Sequence, residues 1–346
     1  MRILLFVLLF LTSIAVSLLA VIITAPSTST VQFSWYTESA VVCKVYIYSE
    51  NTSKELSEAT PSVFHSMEAS ELSPDTQYKY RIECDATKAY IQAGSFSIPL
   101  NPGNNFSFVV YGDSRSNPRM HAKVAEAISK KKPLFVMHTG DIVYSDERLD
   151  DWADFFQATV ALGNALFFPV IGNHERTAEN YKRFFSLPGN ESYYSFKVGE
   201  LLFIALNTNE RFDSYSKQYK WLKSLLSTEK AEFTVVILHH PPFSYGPHGD
   251  SYYVKNFLVP LFEQYGIDLV ISGHDHNYQR IVCNNLTYIV TGGGGASIYK
   301  IKDPSGIASS FEGYNFVLFE YNSGVLKGIC YDINGHEIDS FTISSH

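Results

Sequence analysis

The hydrophobic pattern changes character along the chain. Residues 3–25 form an apolar run interrupted only by Thr and Ser. From about 26 to 98, apolar and polar positions alternate: Val31, Phe33 and Trp35, then Val41, Cys43, Val45 and Ile47, then Tyr78, Tyr80, Ile82 and Cys84. Such alternation puts one face of each strand on a core and the other in water, which predicts an antiparallel β-sandwich over 26–98. The turn formers of 99–105 predict a linker. Beyond it come short apolar runs without alternation, at 106–111, 134–137, 166–171, 201–206, 233–238 and 269–271. Helical periodicity fills 118–131, 147–162, 215–227 and 253–265 between them. Strands apolar on both faces, separated by amphipathic helices, predict an α/β layered fold over 106–346. β character returns at 286–291, 316–321, 328–332 and 338–343, with hairpin turns at Asn322-Ser323-Gly324 and Asn334-Gly335.

Charge narrows the partners. The chain has 35 acidic and 27 basic side chains, a net charge of −8, and its basic cluster is Lys130-Lys131-Lys132. A phosphate-neutralising surface is not expected, so nucleic acid is excluded as a partner. Met1-Arg2 followed by the apolar run, with small residues near Ala20 and Ala25, predicts a signal peptide over 1–25 or an uncleaved N-terminal anchor. Either places the rest of the chain outside the cytoplasm, with membrane contact only through that segment. In oxidising surroundings the simplest pairing is two local bridges, Cys43 with Cys84 and Cys283 with Cys330. Sequons at Asn51, Asn105, Asn190 and Asn285 permit surface glycans. The stretch from Leu72 through Pro74, Thr76 and Tyr78 to Tyr80 resembles the L-x-P-x-T-x-Y-x-Y signature of fibronectin type III-like domains. That resemblance implies a tyrosine packed where one sheet crosses to the other; an unrelated sandwich is the alternative.

Candidate chemistry gathers where apolar runs end. Five of them finish in potential ligands: Gly112-Asp113, Gly140-Asp141, Gly172-Asn173-His174-Glu175, His239-His240, and Gly273-His274-Asp275-His276. Open α/β sheets bind ligands at the carboxyl ends of their strands, so these residues are expected to meet in one pocket. Carboxylates, an amide oxygen, imidazoles and a phenol suit hard or borderline ions, and two adjacent ions can clamp the attacking and leaving oxygens of a phosphoryl group.

The ordered set GD, GDxxY, GNHE, VxxH and GHxHxYxR resembles that of the purple acid phosphatases within the calcineurin-like metallophosphoesterases, over about 106–280. The resemblance implies a two-sheet α/β/β/α sandwich behind the small β domain. It also implies a first ion, Fe(III), held by Asp113, Asp141, Tyr144 and His276. A second, Zn(II), Mn(II) or Fe(II), would be held by Asp141, Asn173, His239 and His274, with Asp141 as the bridge. Many metallophosphoesterases begin with D-x-H; here Arg115 stands in place of that histidine, and Tyr144 is the compensating ligand of the purple branch.

The implied reaction is attack of a metal-bound hydroxide on a small phosphate monoester, with His174 contacting phosphate and assisting the leaving group. His248 resembles the substrate-contacting histidines of the family's plant enzymes, and Arg115 is a candidate for the substrate phosphate or for pairing with an acid. Glu175 is expected to orient His174, His240 to support the ligands, and His138, Tyr278 and Arg280 to pack. Gly292 to Gly295 lacks the Lys-Ser/Thr and helix of a phosphate loop and reads as a strand-end turn. A phosphodiesterase or nucleotide hydrolase on the same metals, and a binding protein without catalysis, are the alternatives.

Overall fold

In the computed structural model, which describes residues 20–85, 90–103, 105–163 and 165–343, the alternating segment forms an all-β layer. Thr30–Tyr48 is one strand of 19 residues. Its first part pairs with Val21–Ser27 and Ser62–Ala69, its second with Ser53–Ser57 and Tyr78–Asp85. The register shifts between Tyr36 and Val41, where the strand passes from one layer to the other. Val31, Phe33, Trp35, Cys43, Val45, Ile47, Tyr78, Tyr80 and Ile82 are all buried, as alternation requires. The Tyr78 hydroxyl accepts from the Ser73 N–H at 2.8 Å. Cys43 and Cys84, opposite one another on paired strands, are disulfide-bonded.

Two expectations change. The strand Val21–Ser27 overlaps the end of the segment assigned to 1–25, buries Val21, Ile22, Ile23 and Ala25, and runs parallel to Leu166–Pro169 through Ile23 and Leu166. An apolar leader and an apolar core strand share a composition, so hydropathy alone runs them together; residues 1–19 of that segment lie outside the described residues. Cys283 and Cys330 are not bonded. The first ends Tyr278–Cys283 in one sheet and the second lies in Val325–Asp332 of the other, so nearness in sequence does not bring the sulfurs together.

The later segment supplies two sheets. In the first, Asn105–Tyr111, Phe135–His138 and Leu166–Pro169 run parallel, flanked on one side by the hairpins of Asn315–Asn322, Val325–Asp332 and Glu337–Ile343. Val21–Ser27 continues it on the other side, so the N-terminal strands belong to one hydrogen-bonded sheet with the later segment. In the second, Leu201–Ala205, Phe233–Ile237, Leu269–Ser272 and Leu286–Thr291 run parallel between antiparallel edges.

The sheets face each other through aromatic side chains. Phe108 and Phe135 meet Phe203 edge-on at 5.0 and 5.2 Å between centroids. On the other face of the second sheet, Leu202, Ile204, Val236 and Val270 pack with Leu222, Leu226, Val254 and Phe262 of the covering helices. Both faces are buried, which accounts for strands that lack polar alternation. The helices Pro118–Ser129 and Leu149–Ala158 bring Val124, Ile128, Trp152 and Phe155 to the core of the first sheet. The stretch expected as one helix over 253–265 divides into Tyr252–Phe257 and Val259–Gln264, because Pro260 has no N–H to carry the helix through. Among the described residues, no helix is long and apolar enough to cross a membrane.

Candidate metal centre

Parallel strands deliver their following residues to one edge. Asp113, Asp141, Asn173, His239, His274 and His276 all arrive there. Asp113, Asp141 and His274 hold φ of 57°, 55° and 70°, left-handed conformations that side chains adopt only where the surroundings enforce them. Gly140, at φ 93°, turns the chain out of its strand. A Cβ on Gly172 would collide with the backbone nitrogen and Oδ1 of Asp141, so the two loops approach only because this residue is glycine.

Donor atoms converge. His239 Nε2 lies 3.3 Å from Asp141 Oδ1, 3.0 Å from Asn173 Oδ1 and 3.2 Å from His274 Nδ1. One donor atom from each of Asp113, Asp141 and His239 falls within 4.8 Å of the others, and the same holds for His239, His240 and His274. His239 and His276 donate their Nδ1–H to the carbonyls of Thr139 (2.9 Å) and Ser297 (2.8 Å), which leaves each Nε2 a lone pair directed inward. A third such group, Cys43, Glu58 and His65, contains a disulfide-bonded sulfur and is no thiolate site.

Electrostatics fit a cation. Burial, reinforced by the Asp141 charge, pushes the Asp113 carboxyl well above the usual carboxylate range. Its Oδ2 accepts from the His274 N–H at 2.9 Å, while Oδ1 is buried without a hydrogen-bond partner. Burial also pushes His274 down to about 2 and His276 down to about 4, so both stay neutral donors. Two neighbouring carboxylates, one with an orphaned oxygen, ringed by neutral imidazoles, are the complement of a multivalent metal ion.

The remaining site residues are distributed unevenly. Arg115 reaches into the first donor set: its Nε donates to Asp141 Oδ2 at 3.1 Å, and Nη2 lies 3.4 Å from His276 Nε2. A guanidinium touching both atoms excludes an ion from the same two. The Tyr144 side chain stands at the rim, 53% exposed, with its ring 5.2 Å from that of His174 and the Arg115 guanidinium 6.0 Å from its centroid. His174 donates Nδ1–H to the Tyr144 carbonyl, and its Nε2 lies 3.7 Å from Asp141 Oδ2. The His248 ring lies 4.1 Å from that of His274, tilted by 33°, although it stands nine residues beyond His239.

Glu175 does not orient His174 through its side chain. Its carboxylate accepts the N–H groups of Asp141, Val143 and Gly172 at 2.9 to 3.0 Å and staples the two ligand loops together. Burial, then the Asp141 charge, pushes it up to about 8. Two supports have no sequence signal beyond their chemistry. Buried Asp275 accepts from the Ser244 hydroxyl and the His248 N–H, holding that loop over the site. Tyr299 stacks on His276 at 4.0 Å. His240 bonds Thr208 Oγ1 at 2.7 Å, His138 meets the Ser114 hydroxyl, and Tyr278 and Arg280 both bind Asp339. In the glycine turn, the Gly294 and Ala296 N–H groups donate to the carbonyls of Gly112 and Asp113, so it buttresses the first ligand loop.

The calcineurin-like phosphoesterase family profile matches residues 106–278. The chain is 26% identical over 291 residues to purple acid phosphatase 15 of Arabidopsis thaliana, covering 68% of this chain and 54% of that one. It is 26% identical over 281 residues to phosphoenolpyruvate phosphatase of Allium cepa, covering 71% and 56%. The chain thus spans about half the length of the curated relatives it matches. In fold it is similar to a purple acid phosphatase from yellow lupin seeds, with a TM-score of 0.77 at 16% identity over 94% of this chain and 74% of that one. With that profile covering the strand ends that carry the site, the chain belongs to the calcineurin-like phosphoesterases.

Proposed function

We propose that this protein is an exported, metal-dependent phosphatase that hydrolyses small phosphate monoesters in the manner of purple acid phosphatases. The reading rests above all on Asp113, Asp141 and His239 bringing donor atoms within 4.8 Å of one another, with Asp113 Oδ1 buried and not hydrogen-bonded. Asp113, Asp141, Tyr144 and His276 would hold Fe(III), and Asp141, Asn173, His239 and His274 would hold Zn(II), Mn(II) or Fe(II); bound there, the two ions supply Lewis acidity and a water of lowered pKa.

The protein's own groups do the rest. Asp141 presents Oδ1 toward His239 and Oδ2 toward Arg115 and His174. His174, pinned at Nδ1 by the Tyr144 carbonyl, turns Nε2 toward the site; in its doubly protonated form it passes the Nε2 proton to the departing alkoxide and is left neutral. Arg115 leaves Asp141 and binds the substrate phosphate, while His248, held by Asp275, covers it from the side of His274. The Cys43–Cys84 bond suits an oxidising compartment. The all-β region over 26–98 serves as a fibronectin-like module, joined through 99–105 to a catalytic region over 106–346; Asn104 of that linker lies outside the described residues.

A panel of phosphoesters, assayed across pH with iron-zinc and manganese-loaded protein, tests the reading. Release of phosphate from monoesters is expected, lowered roughly 10²–10⁴-fold in His174→Ala. The iron-loaded protein should show a visible phenolate band that Tyr144→Phe abolishes. No turnover with either metal loading, or wild-type turnover in Asn173→Ala and His274→Ala, overturns it.

A further inference from the structure

A cleft of about 540 Å³ opens beside the second donor set, lined among others by Thr208, Asn209, Phe212, His240, Tyr253 and Phe257. Its volume falls in the range of small-molecule sites, about 300–1,000 Å³. It adjoins the centre through His240, whose ring lies 4.6 Å from that of His274. On the opposite flank, Arg115 and Tyr144 border a smaller cavity of about 290 Å³ that also includes Arg148, Asp151 and Asp154. Both flanks carry charge, Glu210, Arg211 and Asp213 in the cleft and Arg148, Asp151 and Asp154 in the cavity; the cleft adds the rings of Phe212, Tyr253 and Phe257.

The rings of Tyr253 and Phe257 are displayed rather than buried. The helix Tyr252–Phe257 turns Val254 inward, while Tyr252, Tyr253 and Phe257 are 71%, 64% and 38% exposed. Three of the nine large exposed hydrophobic side chains among the described residues therefore fall within this one helix. Apolar rings gathered on one exposed patch mark a binding surface more often than chance exposure does. The ring planes of Tyr253 and Phe257 lie within 3° of parallel. The helix is tied to the end of the strand that bears His239 by the Ser251 N–H, which donates to the Pro241 carbonyl at 2.8 Å. Its rings are therefore held at a set distance from the metal ligands.

Resting on the phosphatase reading above, we propose that this cleft receives the leaving group of the phosphoester, and that the group carries a flat aromatic ring laid on Tyr253 and Phe257. Nucleoside phosphates and aryl phosphates share this chemistry. Phosphate at the centre and a ring in the cleft are joined by the ester linkage, which passes His240.

The test compares wild-type full-length protein with the double variant Tyr253→Ala, Phe257→Ala. Both side chains are solvent-facing, and neither belongs to the metal or proton-transfer machinery. Adenosine 5′-monophosphate, phenyl phosphate and glycerol 2-phosphate serve as substrates, and adenosine and phenol as phosphate-free probes in equilibrium binding. The proposal expects KM for the aromatic esters to rise roughly tenfold in the variant, as loss of aromatic stacking predicts, with glycerol 2-phosphate unchanged. It also expects binding of at least one probe to fall by a similar factor. The larger loss, for adenosine or for phenol, tells the nucleoside from the aryl source. Equal losses for all three esters, or probe binding that the double substitution leaves unchanged, overturn the proposal. A protein that binds a probe through these rings yet hydrolyses no ester would instead overturn the phosphatase reading while retaining the cleft.

Discussion

Arg115 is the side chain whose position most changes the chemistry around it. Its guanidinium touches Asp141 and His276, so a metal ion entering between them meets a like charge unless the arginine leaves. Two unit charges 4 Å apart repel by about 4 kcal/mol at an effective dielectric of 20. Arg115→Ala is therefore expected to tighten the weaker-bound ion by at least about tenfold, as read by equilibrium dialysis with metal analysis. Unchanged affinity would mean that the guanidinium leaves without resistance. In sequence, Arg115 is legible as a departure from D-x-H two positions after Asp113. Its contact with His276, 161 residues away, is not. Glu175 teaches the same lesson: adjacency pairs it with His174, whereas the tight turn Asn173–Glu175 swings its carboxylate onto the backbone of the neighbouring ligand loop.

Strands and helices follow their hydrophobic period closely, and the departures have local causes such as Pro260. The strand Ser62–Ala69 carries a titratable group in its core. His65 is buried, stacked on Trp35 at 4.8 Å, with Nδ1 2.8 Å from Glu58. Burial lowers its pKa despite the pull of Glu58. The unfolded histidine takes up a proton below about 6.5 while the folded one resists. Its contribution to stability is thus present above that pH and lost as pH falls through about 6.5 toward the lowered folded value. A thermal midpoint that drops over this window in wild type, and drops less in His65→Gln, is the expected outcome; identical slopes would assign the dependence elsewhere. The cysteines give a second check. Thiol titration of unfolded, unreduced protein should find two free groups, Cys283 and Cys330. Reduction of the other pair should destabilise the fold by up to about 4 kcal/mol, since that bond closes a loop spanning 41 residues.

At the level of the complete fold, the strand Val21–Ser27 joins the N-terminal strands to the sheet that carries Asp113 and Asp141. Burying Val21, Ile22 and Ile23 contributes about 1.5–3 kcal/mol each, comparable with a domain's net stability of about 5–15 kcal/mol. A chain starting at Ala20 should show a cooperative denaturant transition that a chain starting at Pro26 loses, or the second should fail to fold. An equal midpoint for both would show the strand to be dispensable.

The strands buried on both faces, and the arrival of Asp113, Asp141, Asn173, His239, His274 and His276 at one sheet edge, were legible in the sequence. A period of two or 3.6 residues is a local property, and parallel strands carry whatever follows them to the same side. Long-range geometry settled the rest: the edge that Val21–Ser27 found, the separation of Cys283 from Cys330, the reach of Arg115 into the donor set, and the aromatic cleft beside His240. Each depends on distances between residues far apart in the chain, which arise only when the two sheets close on their shared aromatic core.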